Sequence, residues 1–158
     1  MDTIGYSTKE EVLELVDACF PYIEKPDDDS LYVFPANDPM RTILHKQVRE
    51  IKTAYLSNHQ LNIFYDELGT LSANAVQWMF PSLIRSAVLS LPDEDTLAEA
   101  LVCYFENANF EEINSAYNFS WLTPNQAQAL SVVLEHISQE TDMVVSLAME
   151  NVAEFSKL

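Results

Sequence analysis

The sequence predicts an all-α fold, a single-domain bundle of about seven helices. Three observations carry that prediction. Helix-start signals recur along the chain, an apolar stripe of helical period follows each of them, and only 2 glycines occur in 158 residues. Hairpin turns lean on glycine, so a chain this poor in it is a bad candidate for most all-β topologies. A hydrophobic content of 48% is enough to build one real core at this length. No internal repeat, low-complexity tract or linker divides residues 1–158.

The first helix is announced by Ser7-x-x-Glu10, a capping box in which each side chain takes up a backbone N–H left without a partner, and its stripe is Val12, Leu15, Val16 and Cys19. Residues 21–38 follow as an irregular stretch with Pro21, Pro26, Pro35, an Asp27-Asp28-Asp29 run and Leu31-Tyr32-Val33-Phe34, a candidate short extended piece. Asp38-Pro39 places an N-cap before a proline whose missing N–H costs nothing at the first helical position. The second stripe is Leu44, Val48, Ile51 and Tyr55; the third starts at Ser57-x-x-Gln60, runs through Leu61, Phe64 and Leu68, and is closed by Gly69.

The fourth helix extends from about Ser72 toward Leu91 with Val76, Met79, Leu83 and Val88 on its stripe, and Pro81 is expected to kink or split it. Thr96-x-x-Glu99 opens the fifth, with Leu97, Leu101, Tyr104 and Phe105. After a second irregular stretch, residues 106–122, Thr123-Pro124 and Thr123-x-x-Gln126 open the sixth, with Ala127, Leu130, Val133, Leu134 and Ile137. The last stripe is Val144, Leu147, Ala148, Val152 and Phe155.

Charge is the strongest functional signal. The chain holds 25 Asp and Glu against 8 Lys and Arg, a formal net charge of −17 at pH 7. Such a chain repels nucleic acid and anionic membrane and attracts basic proteins. The excess is uneven: residues 86–158 carry 12 acids and a single base, Lys157. The basic residues concentrate instead on one stripe of the second helix, Arg41, His45, Arg49 and Lys52, read as a counter-surface for acidic helices or as an anion or nucleic-acid contact.

Several chemistries are excluded. Gly5 and Gly69 are too far apart for a phosphate-cradling loop, which needs at least two neighbouring glycines. No histidine (His45, His59, His136) has a glutamate three residues before it, as a di-iron bundle requires, and the Asp27–Asp29 run lacks the alternating spacing and glycine of a calcium loop. No metal or cofactor is expected. Nor is an enzyme: there is no GxSxG, and neither cysteine has a catalytic context. His59 and Asp66 lie two helical turns apart and read as ordinary helix surface; His136 reads as a group favouring a helix C-terminus. Cys19 and Cys103 are expected as buried thiols. The N-terminus has no basic segment leading into an apolar one, and proline and polar residues interrupt the least charged stretches, so the expected location is the cytoplasm, with no membrane partner.

The candidate site is therefore a protein-binding surface. Between Asp93 and Trp121 carboxylates alternate with aromatic residues, Tyr104, Phe105, Phe110, Tyr117, Phe119 and Trp121. Carboxylates steer and pair with Lys and Arg, and aromatic side chains anchor interfaces once desolvated. Phe105, Phe119 and Trp121 read as core. Asp93, Glu94, Asp95, Glu106, Asn109, Glu111, Glu112 and Tyr117 are the expected partner-binding residues.

Two blocks carry a resemblance. Tyr65-Asp66-Glu67-Leu68-Gly69-Thr70-Leu71-Ser72 with Trp78-Met79-Phe80-Pro81-Ser82-Leu83, and Phe119-Ser120-Trp121-Leu122-Thr123-Pro124-Asn125-Gln126 with Leu134-Glu135-His136-Ile137, together resemble a family of small bacterial helical proteins of unknown function. That likeness implies a helical fold and transfers no activity. The overall profile, small, acidic and helical, is similar to the immunity proteins of bacterial toxin–immunity systems, including contact-dependent growth inhibition. It implies a partner without identifying it; taken with the acidic charge, the expectation is a non-enzymatic inhibitor of a basic nuclease toxin domain, an RNase rather than a DNase. An adaptor or regulatory interaction module and a DNA-mimic inhibitor are the alternatives, the latter needing acids spaced like duplex phosphates along one face.

Overall fold

The computed structural model describes residues 7–27, 30–31, 38–39, 61, 72–106 and 121–155. Among them are five helices: α1 (Lys9–Cys19), α2 (Ala73–Ser90), α3 (Thr96–Glu106), α4 (Pro124–Glu140) and α5 (Ser146–Phe155). These are the first, fourth, fifth, sixth and last of the expected seven; no strand occurs among the described residues. The stripes expected for the second and third helices lie outside the described residues, except that Asp38 is non-helical, Pro39 is helical, and Leu61 is helical and fully buried. The fold is all-α.

The helices close a circuit. α1 packs on α2, α2 on α3, α3 on α5, α5 on α4, and α4 back on α1. α2 is the hub: Trp78, Met79, Phe80, Pro81, Ser82, Leu83 and Ile84 are buried in succession. A helix apolar on all sides has to sit inside its domain. Pro81 does not split it, because α2 runs unbroken from Ala73 to Ser90. One backbone hydrogen bond is forfeited there, while both halves of the helix remain anchored by buried side chains. Phe80 is the centre of an aromatic cluster, meeting Phe20 at 5.6 Å, Trp121 at 5.5 Å and Phe105 at 6.3 Å between ring centroids, all edge-on. Edge-to-face contacts suit the charge distribution of aromatic rings better than stacked sandwiches.

Helix ends are tied by side chains. Thr123 and Gln126 form the expected capping box of α4, with Thr123 N–H donating to Gln126 Oε1 at 3.0 Å and Gln126 N–H donating to Thr123 Oγ1 at 3.2 Å. Gln126 Nε2 also donates to the Cys19 carbonyl at 3.0 Å, so one side chain serves the start of α4 and the end of α1. Ser72 caps α2: its hydroxyl accepts from Ala75 N–H at 3.2 Å and donates to Ser30 O, and its own N–H donates to Leu31 O at 2.9 Å. Lys9 Nζ donates to Leu91 O and Arg85 pairs with Asp17, joining α1 to both ends of the second half of α2.

Four expectations change. The box that caps α1 is Thr8 with Glu11, one residue beyond Ser7 with Glu10. Both pairs satisfy the same pattern, so spacing alone does not choose between them. Thr96 lies inside α3 rather than capping it; Asp95, a stronger cap residue type, precedes the helix and its carbonyl accepts from Glu99 N–H at 2.8 Å. Val144 and Leu147 are exposed, 74% and 49%, and the buried face of α5 is Val145, Ala148 and Val152. Ala148 and Val152 are buried as expected, and Val145, immediately before the helix starts at Ser146, takes the place of Val144. Cys103 is exposed and Cys19 half-buried; both are thiols. No helix among the described residues is long and apolar enough to cross a membrane.

Candidate acidic interface

α3 places the described part of the predicted surface. Leu97, Ala98, Ala100, Leu101, Val102 and Phe105 face the core, which fixes the helix's rotation. The opposite stripe, at i, i+4, i+8 and i+11, is Asp95, Glu99, Cys103 and Glu106; the first three are exposed and Glu106 is half-buried. Asp93 and Glu94, also exposed, lie in the turn that enters α3, where Glu94 N–H donates to Ser90 O at 2.9 Å. The Leu91–Pro92 peptide of that turn is cis. The Asp93–Asp95 group and Glu106 therefore sit at opposite ends of a helix of 11 residues, about 16 Å long at about 1.5 Å per residue. They make an edge, not one cluster. Asn109, Glu111, Glu112 and Tyr117 lie outside the described residues, as do the Arg41/His45/Arg49/Lys52 stripe, His59 and Asp66.

The far end of α3 is held from α5. Asn151 Nδ2 donates to Phe105 O at 2.7 Å and to Glu106 O at 3.1 Å. Those are carbonyls at a helix C-terminus, which have no partner within the helix itself. Asn151 thereby sets where Glu106 sits. Sequence pattern did not single it out, since an asparagine amid a helical stripe carries no sign of a distant carbonyl partner.

The electrostatics of this edge follow from what surrounds it. α3, α4 and α5 contain no Lys or Arg. Of the three described cations, Arg85 pairs with Asp17 and Lys25 lies over the Trp78 ring at 5.4 Å from its centroid, while Lys9 donates to the Leu91 carbonyl and so brings its ammonium to the turn that enters α3. Among the described residues, Lys9 is thus the cation placed at the turn of Asp93, Glu94 and Asp95, and Glu99 stands on a helix that supplies no opposite charge. A cavity of about 240 Å³ lies against the same stripe, lined among the described residues by Glu99, Ala100, Cys103 and Tyr104.

Two other readings meet the structure here. His136 is only 2% exposed and lies on the buried stripe between Val133 and Ile137, so it is a core residue and not a solvated partner of the helix C-terminus. Neither ring nitrogen has a hydrogen-bond partner among the described residues. Among the described residues no group of three or more His, Cys, Asp or Glu side chains is placed to hold a metal ion. Of the expected core aromatics, Phe105 is buried and Trp121 packs against the core, while Phe119 lies outside the described residues.

No protein-family model matches the chain, and no curated protein or solved structure is significantly similar to it. The functional reading accordingly stands on the residues themselves.

Proposed function

We propose that the chain is an immunity protein, a non-enzymatic inhibitor that binds and neutralises a basic nuclease toxin domain, an RNase rather than a DNase, in the bacterial cytoplasm and without a cofactor. The observation that supports this reading is the imbalance around α3. An exposed carboxylate edge runs along α3 and the turn that enters it, and α3, α4 and α5 carry no Lys or Arg. A cleft that binds phosphates is lined by cations, so an acidic edge is complementary to it. The carboxylates would occupy that cleft or cover its entrance. The overall profile, similar to that of immunity proteins, agrees with this reading.

The test is capture. The tagged chain, retrieved from its source cell at low salt and eluted with rising salt, should release a single basic protein whose nuclease activity appears only after separation. Recovery of the chain alone, or with a neutral partner indifferent to salt, would overturn the inhibitor reading and leave an adaptor. Within the interface, Glu111→Lys with Glu112→Lys should slow association in a salt-sensitive way; unchanged affinity would remove that segment from the surface.

A further inference from the structure

The cavity beside α3 suggests how a basic partner would be held once steered. Among the described residues its lining combines a carboxylate-bearing residue (Glu99), an aromatic residue (Tyr104) and two small ones (Ala100 and Cys103), and its volume is about 240 Å³. That is below the roughly 300–1,000 Å³ of pockets that take whole small molecules, and it suits one inserted side chain. An apolar side chain would have to settle beside Glu99 and displace its water without offering it a partner. A neutral polar one would gain little from the carboxylates of Asp93, Glu94, Asp95 and Glu99. A long cationic side chain meets all of these conditions, because its methylene stem packs on small and aromatic residues while its head stays near a carboxylate.

We infer that this cavity is an anchor pocket for an arginine side chain of the basic partner, with Glu99 receiving the guanidinium and Ala100, Cys103 and Tyr104 accommodating the stem. Arginine fits better than lysine because its planar head pairs with a carboxylate through two parallel N–H donors and stacks on aromatic rings. Arginine is also enriched among the few residues that dominate interface energies. The inference rests on the reading of the chain as a binder of basic protein, and it names the point at which that partner is gripped.

The experiment uses the full chain and N-acetyl-arginine N-methylamide as the probe, titrated at constant ionic strength and followed by amide NMR. Saturable shifts should centre on Glu99, Ala100, Cys103 and Tyr104. They should disappear with the citrulline counterpart, which keeps the shape and loses the charge. Glu99→Gln, at an exposed position, should weaken binding about tenfold, and Cys103→Phe, also exposed, should fill the cavity and abolish the shifts with the rest of the spectrum retained. Equal response to citrulline, or non-saturating shifts spread over Asp93, Glu94, Glu140 and Asp142 alike, would overturn the pocket. The two proposals fail separately. If the probe does not bind but a basic protein is still captured, the pocket is wrong and the interface stands; if the probe binds and no basic protein is captured, the reverse holds.

Discussion

Replacing Gln126 separates two interactions that one side chain makes at once. Its Oε1 accepts the Thr123 N–H at 3.0 Å, completing the α4 capping box, and its Nε2 donates to the Cys19 carbonyl at the end of α1, also at 3.0 Å. Gln126→Ala removes both, and at about 0.5–1.5 kcal/mol for each hydrogen bond the loss is about 1–3 kcal/mol. For a chain of this length about 2 kcal/mol corresponds to a melting temperature lower by about 4–8 °C. Gln126→Glu keeps the acceptor for Thr123 and adds a favourable charge at the N-terminus of α4, a gain of about 0.3–1 kcal/mol. It also sets a carboxylate oxygen where the amide donor faced the Cys19 carbonyl. The net result should be a loss of about 1–2 kcal/mol. Urea unfolding of the three proteins at pH 7 reads the differences directly. If Gln126→Glu is as stable as the parent while Gln126→Ala is not, only the capping box matters, and the bond between α4 and α1 contributes nothing.

Other substitutions probe the rest of the frame. Phe80→Ala should cost about 3–5 kcal/mol, because the ring is fully buried against Phe20, Phe105 and Trp121, and Phe80→Leu should cost clearly less; equal losses in urea unfolding would mean that refilling the space recovers nothing and that buried volume is not what Phe80 contributes. Asn151→Asp should destabilise more than Asn151→Ala, the latter by about 1–3 kcal/mol, since it turns a donor to two carbonyls into an acceptor; the opposite order of unfolding midpoints would show that the amide is not the donor. Arg85→Ala should change stability by less than about 1 kcal/mol, with the difference shrinking as salt rises, because the side chains of this pair are 28% and 56% exposed. A larger loss, insensitive to salt, would place Arg85 in the packing of α2 instead.

The helical framework was legible where local chemistry decides it. The Thr123/Gln126 box and the stripes at Val76–Val88, Leu97–Phe105 and Ala127–Ile137 hold in the structure because cap and period are both local signals. Overlapping signals were not resolvable from sequence: Ser7/Glu10 and Thr8/Glu11 offer the same box, and Asp95 competes with Thr96 for one cap. Pro81 leaves α2 as one helical run, with Trp78, Phe80 and Leu83 buried around it. The acidic character of the α3 edge could be read from the absence of Lys and Arg after Arg85. Its geometry could not. The turn at Asp93–Asp95 and Glu106 are adjacent in a list of acids yet about 16 Å apart at the two ends of a helix, and the hold of Asn151 on α3 depends on a packing partner more than 40 residues away.

The account depends most on one claim, that the α3 edge steers a basic partner. With the captured partner in hand, association rates should be measured by stopped flow across a series of ionic strengths for the parent, for Asp93→Lys/Glu94→Lys/Asp95→Lys, and for a control with the same charge change at exposed positions of the N-terminal region, Glu10→Lys/Glu14→Lys/Glu24→Lys. The account predicts a rate at least about tenfold lower at low salt for the α3 variant, a difference that fades as salt rises, and a much smaller effect for the control. Equal rates for the two variants would contradict it, because net charge and not this edge would then govern the encounter.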